Sequence, residues 1–425
     1  MNLLAFRMLL FYITIAFVMP QVRFRFLWPL QIANISAISA MVLHVLSAGH
    51  EGKPVIRFGP ATILAMLLMI CGLLAQYAGV MQPDTAWNGI IDELMKNSLI
   101  VILIEAMAYN VKRVWAILAT IMISTLWWLK AGFRLTMAGG FLVGSRIMGP
   151  AVGLVENPNA FACFMSVTLL IYMYFYQQSR NKWARIGLLT MIFVGVYSVF
   201  STGSRTGPLT LITVGILILL KYGGRQKKSI IFGAVVIYLI FIGVDPSNIA
   251  RFKTIGPSYR MFFLGEYDGD ISQLNNDEIS ALSRAWKNRD TWRLIKDYPF
   301  FGVGINPDPE LVHDEYGWAA GRVHCEPLSA GKQMGFVGMG LYFGFFLIMF
   351  VSGFNVMMKS RKIWPAVSDM GWPFILLAPA MLVGGYFNTN PWNIYLLVVG
   401  ATASSLWTAW KDYHRSAADV QNGQR

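Results

Sequence analysis

The sequence predicts an all-α polytopic membrane protein, and three observations carry this prediction. Of its 425 residues, 56% are hydrophobic and only 13% are charged, whereas soluble domains carry about 25% charged residues. The apolar residues are collected in long runs, unlike the short alternating segments of a transmembrane barrel. A membrane helix needs about 20 mostly apolar residues. The chain therefore has room for about twelve such helices.

Twelve apolar runs lie between charged residues or clusters of Pro and Gly, which mark their ends. The first run ends at Pro20 without a small-residue cleavage site, so it is predicted to be a retained helix. The fourth run is short, and segment 131–150 has room for a partial or interfacial helix, so eleven or thirteen helices stay open. The runs cover about 3–20, 27–47, 61–80, 97–110, 114–130, 159–177, 184–201, 207–221, 229–244, 334–354, 371–388 and 391–410.

The orientation follows from the Lys and Arg residues of the short connections, because cytoplasmic loops carry an excess of them. The even-numbered connections hold fourteen such residues and the odd-numbered ones hold seven. Both termini are therefore predicted to be cytoplasmic. The net charge of +13 is mostly a topology signal, and no basic, aromatic-interleaved module indicates a nucleic-acid partner.

One connection is far longer than ordinary loops. Residues 245–333, between the ninth and tenth runs, hold thirteen of the twenty-two acidic residues of the chain, and the charge count places them outside the cytoplasm. Residues Leu282, Trp286, Arg289 and Arg293 recur at helical spacing, which predicts a helix within the loop. The chain is thus predicted to be one membrane domain, 1–425, with this extracytoplasmic loop inserted in it.

The three cysteines offer no disulfide pair and no metal-ligand spacing, because Cys71 and Cys163 lie inside apolar runs and Cys325 lies in a polar segment. No metal and no cofactor are expected. The turn Ser201–Pro208 instead places Arg205 among small hydroxyl and glycine residues. A guanidinium offers a two-pronged fork suited to phosphate, although an arginine that only reaches the membrane surface fits as well.

The long loop supplies the other candidates. Arg284, Arg289 and Arg293 are candidates for phosphate contact, or they simply pair with Asp290 and Asp297.

His324 lies about ten residues before the tenth run, and a histidine near neutral pH can accept a hydroxyl proton. Glu326 is either its orienting partner or a competing base, and His313 is a second candidate histidine. A purely structural role for His324 is the alternative.

Four motifs follow one another along the chain in a characteristic order. They are Glu156-Asn157-Pro158-Asn159-Ala160, Thr202-Gly203-Ser204-Arg205, the stretch from Arg284 to Gly304 that ends Asp-Tyr-Pro-Phe-Phe-Gly-Val-Gly, and His324-Cys325-Glu326-Pro327-Leu328 followed by Gly335-Phe336-Val337-Gly338. Together these segments resemble the O-antigen ligase and polymerase superfamily of bacterial envelope glycosyltransferases. The resemblance covers about residues 155–345, and it departs at Cys325, where the family usually has Asn, and at Tyr298, where it often has His. Residues 130–150 also resemble O-glycosylation ligases of exopolysaccharide systems.

The resemblance implies a C-type glycosyltransferase of the bacterial inner membrane, working with inversion on the periplasmic side. The donor would be a glycan on undecaprenyl diphosphate, and the acceptor a hydroxyl of lipid A core, of another glycan or of a protein. Membrane lipids are the surrounding partners. His324, Arg284 and Arg205 would be catalytic, and Arg289, Glu326, Asn157 and Asn159 would bind substrate.

A transporter is the main alternative outside the enzymes, because polytopic transporters carry ionisable residues near the middle of the membrane. Glu105, in the fourth run, is the clearest intramembrane acid. It also fits a carboxylate that reaches the membrane surface or caps a neighbouring helix.

Overall fold

The computed structural model of the chain describes residues 1–52, 54–79, 94–137, 158–222, 276–305, 323–388 and 390–421, together with 274, 312 and 313. Every regular element in these ranges is helical. Seven of the helices are long and apolar enough to cross a membrane, and two shorter apolar helices, Asn2–Val18 and Thr206–Lys221, accompany them. The protein is therefore a helical polytopic membrane protein. The predicted total of twelve crossings is not settled by these helices.

The described ranges contain twelve helices of twelve residues or more, which we number in chain order. A four-residue helix, Pro20–Arg23, and a 3-10 turn, Arg25–Leu27, link the first two. The twelve are α1 Asn2–Val18, α2 Ile32–Glu51, α3 Pro60–Ala78, α4 Lys96–Met107, α5 Val111–Met137, α6 Pro158–Gln178, α7 Lys182–Ser201, α8 Thr206–Tyr222, α9 Asn276–Asp297, α10 Glu326–Ser360, α11 Pro365–Gly385 and α12 Ile394–Gln421.

Eleven of the predicted runs coincide with a helix in this order, and the run 229–244 lies outside the described residues. The helix predicted inside the long loop is α9. Segment 131–150 begins as the end of α5, which continues to Met137. The main difference is α10, which begins at Glu326, eight residues before the predicted apolar run. Its backbone is non-helical at Met334 and Gly335, so a polar first part is joined to the apolar part by a kink.

Helix α6 lies at the centre of the bundle. In its apolar window 83% of the residues are buried, compared with 28% in α2 and in α7, so the latter two face the lipid. Pro158 stands in the first turn of α6, where its missing N–H is not needed. The helix packs against α5, α7, α8 and α11. Phe164 of α6 meets Phe17 of α1 and Tyr395 of α12 in a buried aromatic cluster.

Glu105 of α4 is completely buried and caps the first turn of α3. One carboxylate oxygen accepts a hydrogen bond from the backbone N–H of Thr62 at 2.7 Å, and the other accepts one from the hydroxyl of Ser404 in α12. The Ser404 oxygen in turn accepts from the backbone N–H of Ala61 at 3.2 Å. The first N–H groups of a helix have no partner inside it, and here two other helices supply the acceptors. The intramembrane acid thus has a structural role as a helix cap.

Candidate functional site

The turn that carries Arg205 is joined to the start of α6. The hydroxyl of Ser204 donates a hydrogen bond of 2.7 Å to the side-chain oxygen of Asn159, and the Thr202 hydroxyl accepts from the Ser204 backbone N–H at 3.1 Å. Gly203 has a φ of +57°, a conformation that favours glycine. The structure therefore joins two predicted motifs through Asn159 and Ser204, the residue before Arg205. The Nε and Nη2 atoms of Arg205 are hidden from solvent, while Asn157 lies outside the described residues.

Helix α9 separates the arginines of the long loop. Successive residues of an α-helix are turned by about 100°, so Arg284 and Arg289 point about 140° apart and Arg284 and Arg293 point in opposite directions. Arg284 shares its stripe with Thr291 and Ile295, which are buried, and is itself half-buried. The structure thus does not bring Arg289 and Arg284 to one side.

The side chains of Arg289 and Arg293 are 62% and 67% exposed, and their guanidinium groups lie 3.5 and 3.9 Å from a carboxylate oxygen of Asp290. Leu282, Arg289 and Arg293 belong to the helical stripe that predicted this helix. The stripe is buried at Leu282 and exposed at Arg289 and Arg293. The alternative considered for these arginines, pairing with Asp290, is the contact observed for both.

The end of α9 is docked on the kink of α10 through main-chain hydrogen bonds. The N–H of Phe336 donates to the carbonyl of Pro299 at 2.7 Å, and the N–H of Val303 donates to the carbonyl of Lys332 at 2.9 Å. Gly335 has a φ of +63°, and a Cβ there would overlap the Pro299 carbonyl oxygen. The segment after Pro299 thus makes a close contact between two backbones, which holds α9 beside the first part of α10.

His324 stands between two buried residues, Val323 and Cys325, and is itself half-buried. Burial raises the pKa of the Cys325 thiol to about 11, so this cysteine is a neutral thiol near pH 7. It is therefore no competitor for His324 as a base. His313, the second candidate histidine, is exposed.

Glu326 is 3% exposed and begins α10. Its carboxylate accepts hydrogen bonds from the Tyr342 hydroxyl at 2.7 Å and from the Asn393 amide at 3.4 Å, and Asn388 supplies another. These donors offset the cost of burying a charged or polar group.

Glu326 also lines a cavity of about 30 Å³, to which Ala160 and Cys163 of α6 contribute. This volume is on the scale of one or two water molecules, so it does not hold a sugar ring. The Arg205 turn and the segment after His324 therefore both lie next to the first turns of α6.

The sequence interpretation missed the partners of Glu326 and one buried cation. Asn388 and Asn393 belong to the short connection between α11 and α12, where three asparagines stand within six residues beside a proline. That concentration of amides between two apolar runs was the available signal. Lys332 is 8% exposed, and the positive charge of Lys287 on α9 acts on its amine. A lysine inside a stretch of small and apolar residues was the signal there.

The candidate residues thus comprise a half-buried histidine, arginines on two separate elements, and amide and hydroxyl donors. Cations fixed on separate elements can stabilise a leaving group that becomes negative, and a neutral imidazole can accept a proton.

Residues 190–343 match the family model described as O-antigen ligase. The match contains Arg205, Arg284, Arg289, His324 and Glu326. The predicted resemblance to the O-antigen ligase superfamily is therefore confirmed for this part of the chain, while Asn157 and Asn159 precede it. No curated protein matches the chain.

Proposed function

We propose that the protein is an O-antigen ligase-like glycosyltransferase that moves a glycan from undecaprenyl diphosphate to an acceptor hydroxyl. The observation that carries the proposal is the O-antigen ligase match over residues 190–343, which spans every charged candidate. The transfer takes place on the periplasmic side of a bacterial inner membrane, as the Lys and Arg asymmetry of the loops predicts. Lipid A core is the proposed acceptor.

His324 removes the proton from the acceptor hydroxyl as the oxygen attacks the anomeric carbon of the donor. The bond from that carbon to the diphosphate oxygen breaks on the opposite face, so the configuration inverts. The diphosphate leaves with the electron pair, and Arg205 and Arg284 stabilise the charge that develops on it. The role of Arg284 is supported by its position on α9. It lies on the same stripe as Ile295, which is buried, so this stripe faces the rest of the protein.

Asn159 and Asn157 act as substrate-binding residues, and the hydrogen bond from Ser204 to Asn159 supports a shared site with Arg205. The Glu326 carboxylate accepts hydrogen bonds from Tyr342 and Asn393. These contacts support a role in orienting the His324 segment more than direct contact with the sugar. Arg289 belongs to the proposed substrate-binding set as an auxiliary cation at the edge of the site.

Two enzymes with the same donor chemistry are the closest alternatives, an O-antigen or exopolysaccharide polymerase and a protein O-glycosylation ligase. They differ from the ligase in the acceptor alone. A polysaccharide transporter is less well supported, because the buried acid expected to serve transport, Glu105, is engaged as a helix cap by Thr62 and Ser404.

The test is deletion of the gene in its native host, followed by analysis of surface glycan and of the carrier lipid. A ligase deletion leaves no long glycan on lipid A core, while polymer of many repeats accumulates on undecaprenyl diphosphate. Only single repeats on the carrier would indicate the polymerase, and unchanged lipopolysaccharide with unglycosylated protein would indicate the protein ligase. Complementation with the wild-type gene and with His324→Ala separates loss of activity from loss of the protein.

A further inference from the structure

The exposed side of α9 carries a cationic and aromatic surface, of which the proposed transfer uses Arg289 alone. It consists of Arg289, Trp292, Arg293 and Lys296, which lie within about 100° around the helix axis. Arg289 and Arg293 are 62% and 67% exposed at the side chain, and Trp292 is 42% exposed. We call these four residues the α9 face.

The α9 face borders the lipid-facing side of α10. The ring of Trp292 packs edge-on against Phe336 with 5.7 Å between centroids, and Phe336 is the first residue after the kink of α10. From there an exposed apolar stripe continues along α10 through Phe343, Leu347 and Phe350. A stripe of this kind in a membrane helix faces hydrocarbon, so Trp292 lies at the level where the bilayer surface begins.

A main-chain hydrogen bond holds the end of α9 at this level. The Phe336 N–H donates to the Pro299 carbonyl at 2.7 Å, and Pro299 lies two residues after the helix ends at Asp297. Trp and Tyr side chains favour the headgroup layer of a bilayer, and clustered Lys and Arg residues near a membrane surface attract anionic lipids. Asp290, 8% exposed, and the exposed Asp297 offset two of the three positive charges, so the α9 face keeps a net positive charge.

We propose that the α9 face binds the headgroups of anionic phospholipids in the leaflet where α9 lies. The phosphates pair with Arg289 and Arg293, Trp292 lies between the headgroups, and Lys296 extends the positive surface. Arg284 is excluded from this contact because it points away from Arg293. The occupant is a bulk membrane lipid, recognised by its negative charge, and the contact holds the long loop against the bilayer.

The test uses the full chain in nanodiscs of phosphatidylcholine, with or without phosphatidylglycerol. Arg293→Cys is spin-labelled in a Cys71→Ala background, because Cys163 and Cys325 are buried while Cys71 is partly exposed. Arg415→Cys in the same background is the matched control, since Arg415 is an exposed cation on α12. The measurement is the accessibility of the spin label to a water-soluble nickel chelate and to oxygen, which partitions into lipid.

We expect the label at position 293 to be better shielded from nickel than the label at 415 in both membranes. Addition of phosphatidylglycerol is expected to increase this shielding, and Arg289→Gln is expected to remove the increase. Equal nickel access at 293 and 415 would overturn the proposal, and so would shielding that does not respond to phosphatidylglycerol. No glycan donor is present, so the result does not depend on the proposed transferase activity.

Discussion

At the scale of single residues, the proposed general base has the sharpest test. A general base usually contributes about 10² to 10⁴ in rate, so we expect His324→Ala to lose that factor in turnover and to keep most of its donor affinity, which depends on the arginines. Donor binding and transfer are measured separately on purified protein. A fully active His324→Ala enzyme would contradict the proposal.

The same assay separates His324 from its neighbour. If Glu326 were the base, Glu326→Gln would be as inactive as His324→Ala while donor binding stayed intact. If His324 only packs the loop, His324→Ala would lower stability and donor affinity together, and His324→Gln would restore both.

The arginines are tested by substitution that keeps or removes the guanidinium fork. Removal of one group that stabilises developing charge costs about 10² to 10³ in rate, so Arg205→Ala and Arg284→Ala are each expected to lose at least this factor. Arg284→Lys is also expected to be impaired, because lysine keeps the charge and loses the planar fork. Arg180→Ala, an exposed arginine between α6 and α7, is the control, and membrane insertion is checked for each variant. Normal transfer by both alanine variants would exclude the role.

The residues of the site were partly predictable from the sequence, and the reason differs from residue to residue. Asn159 and Arg205 were found through local motifs, and the hydrogen bond from Ser204 to Asn159 joins the two motifs. Arg289 was grouped with Arg284 as a candidate for phosphate contact, yet the helix turns them apart. Asn388 and Asn393 were missed because their link to Glu326 joins positions more than sixty residues apart in the chain, which no local pattern reveals.

At the scale of elements, the junction of α9 with α10 depends on Gly335. A non-glycine residue at a positive φ costs about 1 to 3 kcal/mol, and a Cβ at this position would overlap the Pro299 carbonyl. We therefore expect Gly335→Ala to loosen α9, to increase protease cleavage within the loop and to abolish transfer. Gly340→Ala, on the same helix with open space around it, is the matched control. Equal behaviour of the two variants would show that this junction does not position the site.

The cap of α3 makes a prediction about stability. Ser404→Ala removes the acceptor of the Ala61 N–H and a donor to Glu105. The hydroxyl of neighbouring Ser405 is buried and has no hydrogen-bond partner among the residues that the structure describes. Leaving a buried donor without its partner costs about 1 to 3 kcal/mol. Unfolding in detergent should therefore show a clear loss of stability for Ser404→Ala and little or none for Ser405→Ala. A larger loss for Ser405→Ala would be evidence against the cap.

At the scale of the whole molecule, topology is the main prediction that the helices leave open. The fourteen-to-seven asymmetry of Lys and Arg places both termini inside and residues 245–333 outside. Reporter fusions at Lys227 and Asn275, both outside the described residues, should respond from opposite sides of the membrane. A cytoplasmic signal from both would make the topology wrong.

Most of the helix order was predictable because each apolar run is visible in the local sequence. The positions of α1 to α8 follow from the need for apolar side chains in lipid. The early start of α10 was not predictable in this way, because its first turns, from Glu326 to Gln333, are buried by other protein segments rather than by lipid. Hydropathy reports the polarity of side chains, so it identified the apolar part of α10 and placed its start at the kink.

The cap on α3 also has a consequence for the order in which the protein is made. Ser404 follows Ala61 by 343 residues, and a chain leaves the ribosome from its N-terminus. Helices α3 and α4 therefore enter the membrane long before α12 is made. Until then, the Ala61 N–H and one oxygen of Glu105 lack the hydrogen bonds that they make with Ser404. Helix α12 thus supplies a polar contact that α3 and α4 lack until it is synthesised. A chain that stops short of α12 keeps these polar groups unmet in the membrane, where cellular quality control can recognise it as unfinished.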